Sequence, residues 1–382
     1  MSKASHKGIK LQVVDDRPLT PCCPGEQPAV SPVNISEANW VVGQLETNTG
    51  PVYRVATALD RSDLWGAVKA RWGVGRMNYT VPPGLYAIGA PDENAAVLVS
   101  ANYKLSFDSL RRELSGLNLW LLVLDTNGIN VWCAAGKGSF GTAEVARMVG
   151  RTGLARLVSH RTLILPQLAA PGVAAHEVRR RCGFNVVYGP VRAADLPAFL
   201  RAGNKADAAM RRPSFTLRDR LVLTPLELTS LIKPLSGFAL FLFLLNLSAA
   251  LLKGNPLALL PLLGHTIDHL VPFVVAVLVG AVLVPALLPY LPGRALAWKG
   301  LVLGVLWAFA YTALTPGAES WLRNTAHFLI IPSITAFIGL NFTGSTTYTS
   351  LSGVIKETKI AFPLIAMAAG LGLIALVAAY FV

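Results

Sequence analysis

Four cysteines and six histidines are the side chains of this 382-residue protein best suited to ligating metals or attacking electrophiles. Cys133 stands in the most organised surroundings, the stretch WLLVLDTNGINVWCAAGKGSFG from Trp120 to Gly141. Leu119 to Leu124 is a short apolar run that ends at Asp125, Thr126, Asn127 and Gly128. That pattern predicts a buried parallel strand whose carboxyl end opens into a turn, the place where open α/β sheets bind ligands. Asn130 is positioned as an N-cap and Gly136 as a stop, which puts Val131, Trp132, Cys133 and Ala134 in one short helical turn. The partial positive charge of a helix N-terminus favours thiolate, the form that binds metals and attacks electrophiles. The plainer role for such a cysteine is that of a small buried hydrophobe.

The other candidates are weaker. Cys22 and Cys23 are adjacent, flanked by Pro21 and Pro24, and paired thiols suit a soft cation such as Hg(II), although incidental free thiols are the favoured reading. With Cys182 as the only other cysteine, the chain lacks a disulfide framework and the closely spaced set of four that an iron-sulfur cluster needs. His265 and His269 have the i, i+4 spacing that can grip a metal from one helix face, with Asp268 beside them. Their place beside an apolar run favours solvated residues at an outer membrane interface. His160 and His176 receive no chemistry.

Four segments position these residues. Residues 1–38 are polar and proline-rich and are expected to form a flexible cytoplasmic tail. Residues 39–202 alternate apolar runs, at Leu85 to Ile88, Ala95 to Val99, Leu119 to Leu124, Leu163 to Leu165 and Asn185 to Val187, with helical stretches. The helical stretches are Ser106 to Leu114, Thr142 to Val149, Val173 to Arg181 and Ala194 to Arg201, and the alternation predicts an α/β, Rossmann-like, three-layer domain. Residues 203–234 form a basic linker carrying Arg211, Arg212, Arg218, Arg220 and Lys233. Residues 235–382 hold about five apolar segments, at Leu235 to Leu252, Leu270 to Leu291, Leu301 to Leu314, Phe328 to Phe342 and Ile360 to Val382, and predict an all-α transmembrane domain.

Charge supports that division. Residues 235–382 contribute +3, so +10 of the net +13 lies in the first 234 residues. No nucleic-acid motif accompanies the basic excess, which leaves anionic membrane lipid, an acidic protein and a nucleotide-tailed cofactor as partners. With a cytoplasmic start, the loops bearing Arg294 and Lys299, and Lys356 and Lys359, fall inside, as positive-inside bias prefers. The expected location is the cytoplasmic membrane of a prokaryote, multi-pass, with the α/β domain in the cytoplasm. The predicted spans carry almost no ionisable groups, which favours anchoring or partner docking over transport.

The octapeptide NVWCAAGK, Asn130 to Lys137, resembles the cap-helix signature of the HgcA family, the membrane corrinoid proteins of mercury methylation. The resemblance extends through VLVSANYKLSFDSLR (Val97 to Arg111), Leu163 to Leu200 and Phe215 to Leu228, then into the hydrophobic tail, so it covers most of the chain from about Trp40. A more distant similarity is to the corrinoid iron-sulfur protein of the acetyl-CoA pathway. The resemblance implies a cobalamin-like corrinoid as cofactor, Cys133 as lower axial ligand of its cobalt, and Asn130, Val131, Trp132, Ala134, Ala135, Gly136 and Lys137 as the surrounding cap. Gly136, Gly138 and Gly141 fit neither the Walker nor the dinucleotide fingerprint and are expected to let backbone approach a large flat ligand. Lys137 is then placed to pair with a propionamide oxygen or a phosphate, or simply to stand exposed.

The Asp-x-His-x-x-Gly signature of many cobalamin proteins is absent, and none of the six histidines has its context. The activity implied is a corrinoid-dependent methyltransferase that passes a methyl group from cobalt to Hg(II) and yields methylmercury. Because Hg(II) is an electrophile, the methyl must leave with its electron pair or as a radical, and an electron-rich thiolate below cobalt favours that outcome. Two electrons must then return the cobalt to its reduced state. The resemblance implies a ferredoxin-like partner with two iron-sulfur clusters as their source, and a methyl-folate or its transferase as methyl donor. Alternatives are a membrane-anchored methyl carrier of one-carbon metabolism and, from another class, a membrane transporter or sensor with a soluble ligand-binding domain.

Overall fold

The computed structural model describes residues 38–254, 258–315, 320–343 and 351–381. Cys22 and Cys23 and nearly all of the expected tail therefore lie outside the described residues. The α/β domain begins with β1 (Val41–Leu45) and β2 (Val52–Val55), followed by α1 (Arg61–Arg71). Next come β3 (Gly84–Ile88), β4 (Val97–Ala101), α2 (Lys104–Arg112), β5 (Leu119–Leu124), α3 (Val131–Lys137), α4 (Thr142–Arg151) and α5 (Leu154–Leu157). It closes with β6 (Thr162–Leu165), α6 (Ala175–Cys182), β7 (Asn185–Tyr188) and α7 (Leu196–Arg201). The strands form one seven-stranded sheet in the order β1-β2-β3-β5-β4-β6-β7.

From β5 across β4 and β6 to β7 the pairing is parallel, as the alternation of strands and helices predicts. β3 is antiparallel to β5, and β1 and β2 form an antiparallel pair that the apolar runs did not announce. The burial pattern explains the omission: β1 is half-buried to exposed and has a register shift between Val41 and Gly43, so it lacks both continuous apolarity and clean alternation. β5 lies at the centre of the sheet. Trp120, Leu122 and Leu124 enter one core, and Leu119, Leu121 and Val123 enter the core on the other face, the period-two signature of a strand covered on both sides.

The remaining helices are α8 (Leu217–Leu221), α9 (Thr224–Leu252), α10 (Leu259–Leu278), α11 (Val284–Leu287), α12 (Leu296–Leu314), α13 (Trp321–Thr343) and α14 (Leu351–Phe381). A π turn at Val279–Leu283 joins α10 to α11 without a break. Five helical stretches are long and apolar enough to cross a membrane, matching the expected number. The first of them starts at Leu217 rather than Leu235, so the second half of the basic linker is helical. Charged residues are accommodated there by carbonyl oxygens: Arg220 donates to Pro285 O and Ala286 O, each at 3.0 Å, and Lys299 Nζ donates to Leu288 O at 2.5 Å.

One expectation about polar groups in this region is corrected. His269 is not merely solvated, since its ring lies 2.9 Å from an Arg323 guanidinium nitrogen and 2.7 Å from the Tyr380 hydroxyl. His265 and Asp268 are exposed, and no group of three or more His, Cys, Asp or Glu able to hold a metal occurs among the described residues. The third and fourth apolar helices also begin earlier than the expected starts at Leu301 and Phe328, at Leu296 and Trp321, and so take in Lys299 and His327, both buried.

Candidate functional site

The chain leaves β5 through a loop that is hydrogen-bonded from one side. Asn102, immediately after β4, accepts the backbone N–H groups of Thr126 and Gly128 at 3.0 Å each, and its Oδ1 lies 2.8 Å from the Thr126 hydroxyl. Asn127 and Gly128 have φ of 54° and 68°, so two successive left-handed residues reverse the chain. A Cβ at Gly128 would stand 2.7 Å from Thr80 Cγ2, which leaves no room for another residue. Asn130 then caps α3, its side chain accepting the Cys133 N–H at 2.9 Å, as expected.

α3 runs on to Lys137, and its left-handed C-cap is Gly138 with φ 86° rather than Gly136. The three glycines differ in their surroundings, with open space where a Cβ would stand on Gly136 and on the left-handed Gly138 but not on Gly141. A Cβ on Gly136 would meet nothing within 4 Å, whereas one on Gly141 would fall 2.6 Å from Gly138 O. Gly138 and Gly141 thus serve the closure of their own loop. Gly172 lets the loop after β6 press on the cap: a Cβ there would sit 2.5 Å from Phe140 O and 2.7 Å from Ala135 O.

Beside the N-terminal end of α3 lies a cleft of about 440 Å³ at the carboxyl ends of β4 and β6. Asn130, Val131 and Trp132 form one wall, Ser106, Ser109 and Leu110 of α2 another, and Arg71, Pro190 and Arg192 reach its rim. Of the eight cap residues singled out, these first three reach the cleft. Cys133 occupies the next helical position and is half-buried, Ala134 and Ala135 are buried beneath it, and Gly136 and Lys137 are exposed. Three buried polar atoms nearby in the fold lack a hydrogen-bond partner among the described residues: Arg71 Nε at the cleft, Tyr103 Oη and Ser139 Oγ. Burial pushes the Tyr103 hydroxyl above its ordinary range, against the opposing charges of Arg76 and Arg71.

Behind the α2 wall is an ion cluster with no sequence motif. Lys104 Nζ lies 2.6 Å from Asp63 Oδ1 and 2.7 Å from Asp108 Oδ1. Arg111 contacts Asp63 at 2.5 Å and Asp108 at 2.8 Å, and also donates to Ala56 O at 2.7 Å and Ala58 O at 2.9 Å. All four side chains are buried. Burial alone would raise the Asp63 carboxyl, but the bonds from Lys104 and Arg111 outweigh it and hold the group below its ordinary value. The cluster gives a structural reason for the pattern YKLSFDSLR.

Comparison with known proteins places the similarity on this part of the chain. Residues 75–200 match the family model described as CO dehydrogenase/acetyl-CoA synthase delta subunit. The acetyl-CoA decarbonylase/synthase complex subunit gamma of Methanopyrus kandleri is 36% identical over 122 residues, covering 31% of this chain and 26% of that protein. The subunit of the same description from Methanocaldococcus jannaschii is 35% identical over 128 residues, covering 33% and 26%. The corrinoid/iron-sulfur protein large subunit of Moorella thermoacetica is 31% identical over 120 residues, covering 31% and 26%. The similarity is to the α/β domain. The chain spans about a quarter of the length of these relatives, and the five long apolar helices lie outside the matched residues.

Proposed function

We propose that the protein binds a corrinoid against the cap helix and uses it to methylate Hg(II). The observation that carries this reading is the placement of Cys133: a half-buried thiol on an Asn130-capped helix, at the ligand-binding edge of the parallel strands and beside an apolar-walled cleft. The family resemblance of NVWCAAGK adds the choice of Hg(II), and the name of the Moorella relative adds the corrinoid.

The residues present fit such a group. A bound corrinoid would supply a cobalt that carries a methyl group for transfer, and the Cys133 sulfur is the group that would hold it. Val131 and Trp132 offer an apolar face to a macrocycle, and Gly136 keeps side-chain bulk away from it. Arg71 Nε is a buried donor at the cleft without an acceptor among the described residues, suited to a ligand amide oxygen. Lys137, exposed at the end of α3, is assigned to a peripheral amide or phosphate. Asn102 and Asn130 fix the backbone on which the thiol rides. Electrons come from a separate ferredoxin-like protein, and the methyl group from a methyl-folate or its transferase.

The test is to incubate full-length protein with corrinoid, methyl donor, reductant, the ferredoxin-like partner and Hg(II), then quantify methylmercury. Wild type is expected to produce it, Cys133→Ala to produce none, and Cys133→His to retain corrinoid colour but turn over poorly. Full activity in Cys133→Ala overturns the ligand assignment. The names of the relatives favour a second reading, a membrane-anchored methyl carrier of one-carbon metabolism. A corrinoid-loaded protein that delivers its methyl group to a one-carbon acceptor and yields no methylmercury would establish that reading instead. A colourless protein after corrinoid loading would point to the transporter or sensor class.

The orientation assigned has the α/β domain in the cytoplasm and, after five spans, the C-terminus outside. A reporter fused after Val382 is expected to be active only on the external side, and a cytoplasmic signal would refute the assigned topology.

A further inference from the structure

Helix α1 is built inside out. Its buried positions are Asp63, Gly66 and Ala70, while Leu64, Trp65, Val68 and Trp72 point away from the protein at 56%, 62%, 41% and 47% exposure. Val74 and Met77, in the turn that follows, are 62% and 69% exposed. The inward face is held by the ion cluster through Asp63 and by the Tyr79 ring, which packs so closely on Gly66 that a Cβ there would lie 2.5 Å from its hydroxyl. Charge thus anchors the helix from within and leaves about half of each large apolar side chain uncovered by the described residues, the reverse of a helix facing water.

The depth of this patch is set by its contact with α9. A Cβ placed on Gly73 would lie 3.4 Å from Leu226 Cδ1 and 3.5 Å from Thr229 Oγ1. At Leu223, α9 has already joined the bundle, packing with Leu288, Leu296 and Phe342, and the Thr224 hydroxyl donates to Ala281 O at 3.1 Å. Leu228 and Leu231 continue that packing onto Val277, Ala281 and Ile338. The Gly73 turn therefore meets α9 at a level where four of the five apolar helical stretches already pack together, about 9 Å along the axis from Leu223 at Thr229. Two exposed tryptophans at such a level, with Arg61 and Lys69 exposed on the same helix, have the composition of an interfacial anchor.

We infer that the apolar face of α1 and its following turn insert into the cytoplasmic leaflet of an anionic membrane, giving the α/β domain a monotopic attachment beside its first span. This rests on reading the five apolar helices as membrane spans. Arg71, at the end of the same helix, lines the cleft, so the attachment fixes the mouth of the cleft close to the lipid surface.

The test uses full-length protein with Cys22, Cys23, Cys133 and Cys182 replaced by serine, carrying single spin labels at Val74→Cys, Met77→Cys, Glu93→Cys or Ile374→Cys. The protein is reconstituted in vesicles of phosphatidylcholine and phosphatidylglycerol, and collision with oxygen is compared with collision with a water-soluble nickel chelate. Labels at 74 and 77 are expected to favour oxygen, as does the exposed span position 374, while 93 favours nickel. If 374 favours oxygen but 74 and 77 behave like 93, the α1 attachment is overturned and the span reading stands. If 374 also favours nickel, the span reading fails and takes the proposal with it. Exclusion of both reagents at 74 and 77 would mean burial against a second copy of the chain, which also overturns it. Should the serine background not fold, brominated-lipid quenching in the otherwise native chain replaces it. Trp65→Tyr with Trp72→Tyr is then expected to lower the quenched tryptophan fluorescence, and no change would overturn the proposal.

Discussion

The two walls of the cleft are held by different physics. The α2 wall stands on four buried charges whose bonds also tie in α1 and the backbone at Ala56 and Ala58. The α3 wall, which carries Cys133 one position beyond the lining residues, hangs on hydrogen bonds made by Asn102, Thr126 and Asn130 to a loop. Buried charges hold only where every partner is present, because desolvation is repaid in full or not at all. Neutral hydrogen bonds contribute about 1 kcal/mol each and fail one at a time. The comparison teaches that the α2 wall is a cooperative foundation, and the cap a local construction that can be adjusted without unfolding the domain.

Removing one cation from the foundation gives the largest expected effect. Arg111→Met leaves Asp63 and Asp108 underpaired in a buried site and is expected to cost about 3–5 kcal/mol in denaturant unfolding. A loss below about 1 kcal/mol would show that the walls do not differ in this way. Asn102→Ala strips the acceptor from Thr126 N–H and Gly128 N–H and is expected to cost about 1–3 kcal/mol. Its signature is local: hydrogen exchange should quicken from Thr126 to Ala135 and stay unchanged in α2, and uniform quickening would merge the two walls into one unit.

The smallest effect is on pH dependence. Asp63 has a folded-state pKa below its unfolded value, so its stabilisation is complete above the unfolded value and is lost as pH falls through the folded one. Melting temperature is therefore expected to lose this contribution below about pH 4, near the unperturbed carboxylate range, and not between pH 7 and pH 5. Asp63→Asn should flatten that acid limb relative to wild type. An unchanged acid limb in the variant would remove Asp63 from the foundation.

What the sequence made legible was local. The β5 run, the Asn130 cap and the five apolar stretches each follow from residues within one element; the first two are where the pattern put them, and the stretches overlap five helical segments that all begin earlier than expected. The ion cluster escaped because Asp63 is 41 residues from Lys104 and 48 from Arg111, and no spacing rule spans that distance. Helix α1 escaped because helix reading assumes that apolar positions turn inward, and here Leu64, Trp65 and Val68 turn outward. The cleft itself draws on Arg71, α2, α3 and the segment around Pro190, brought together only by strand order. The cap octapeptide was visible as a motif, yet only Asn130, Val131 and Trp132 line the cleft, because a helix on a sheet edge can turn just part of its circumference toward it.

Helix α8 gives the junction between the two halves of the chain a mechanical character. Asp219 on it is paired with Arg192 of the α/β domain at 2.6 Å, and the neighbouring Arg220, 5% exposed, is bonded to the carbonyls that end α11. The exposed pair contributes little, but the buried guanidinium binds firmly. A flexible connector of such length would let the domain sweep a volume with a root-mean-square reach of roughly 5–6 Å times the square root of its residue number. Here the connector is a bracket and not a tether. The cleft gives up reach for registration: it is carried at a set height and azimuth on the helical bundle, and anything that reacts there must travel to it.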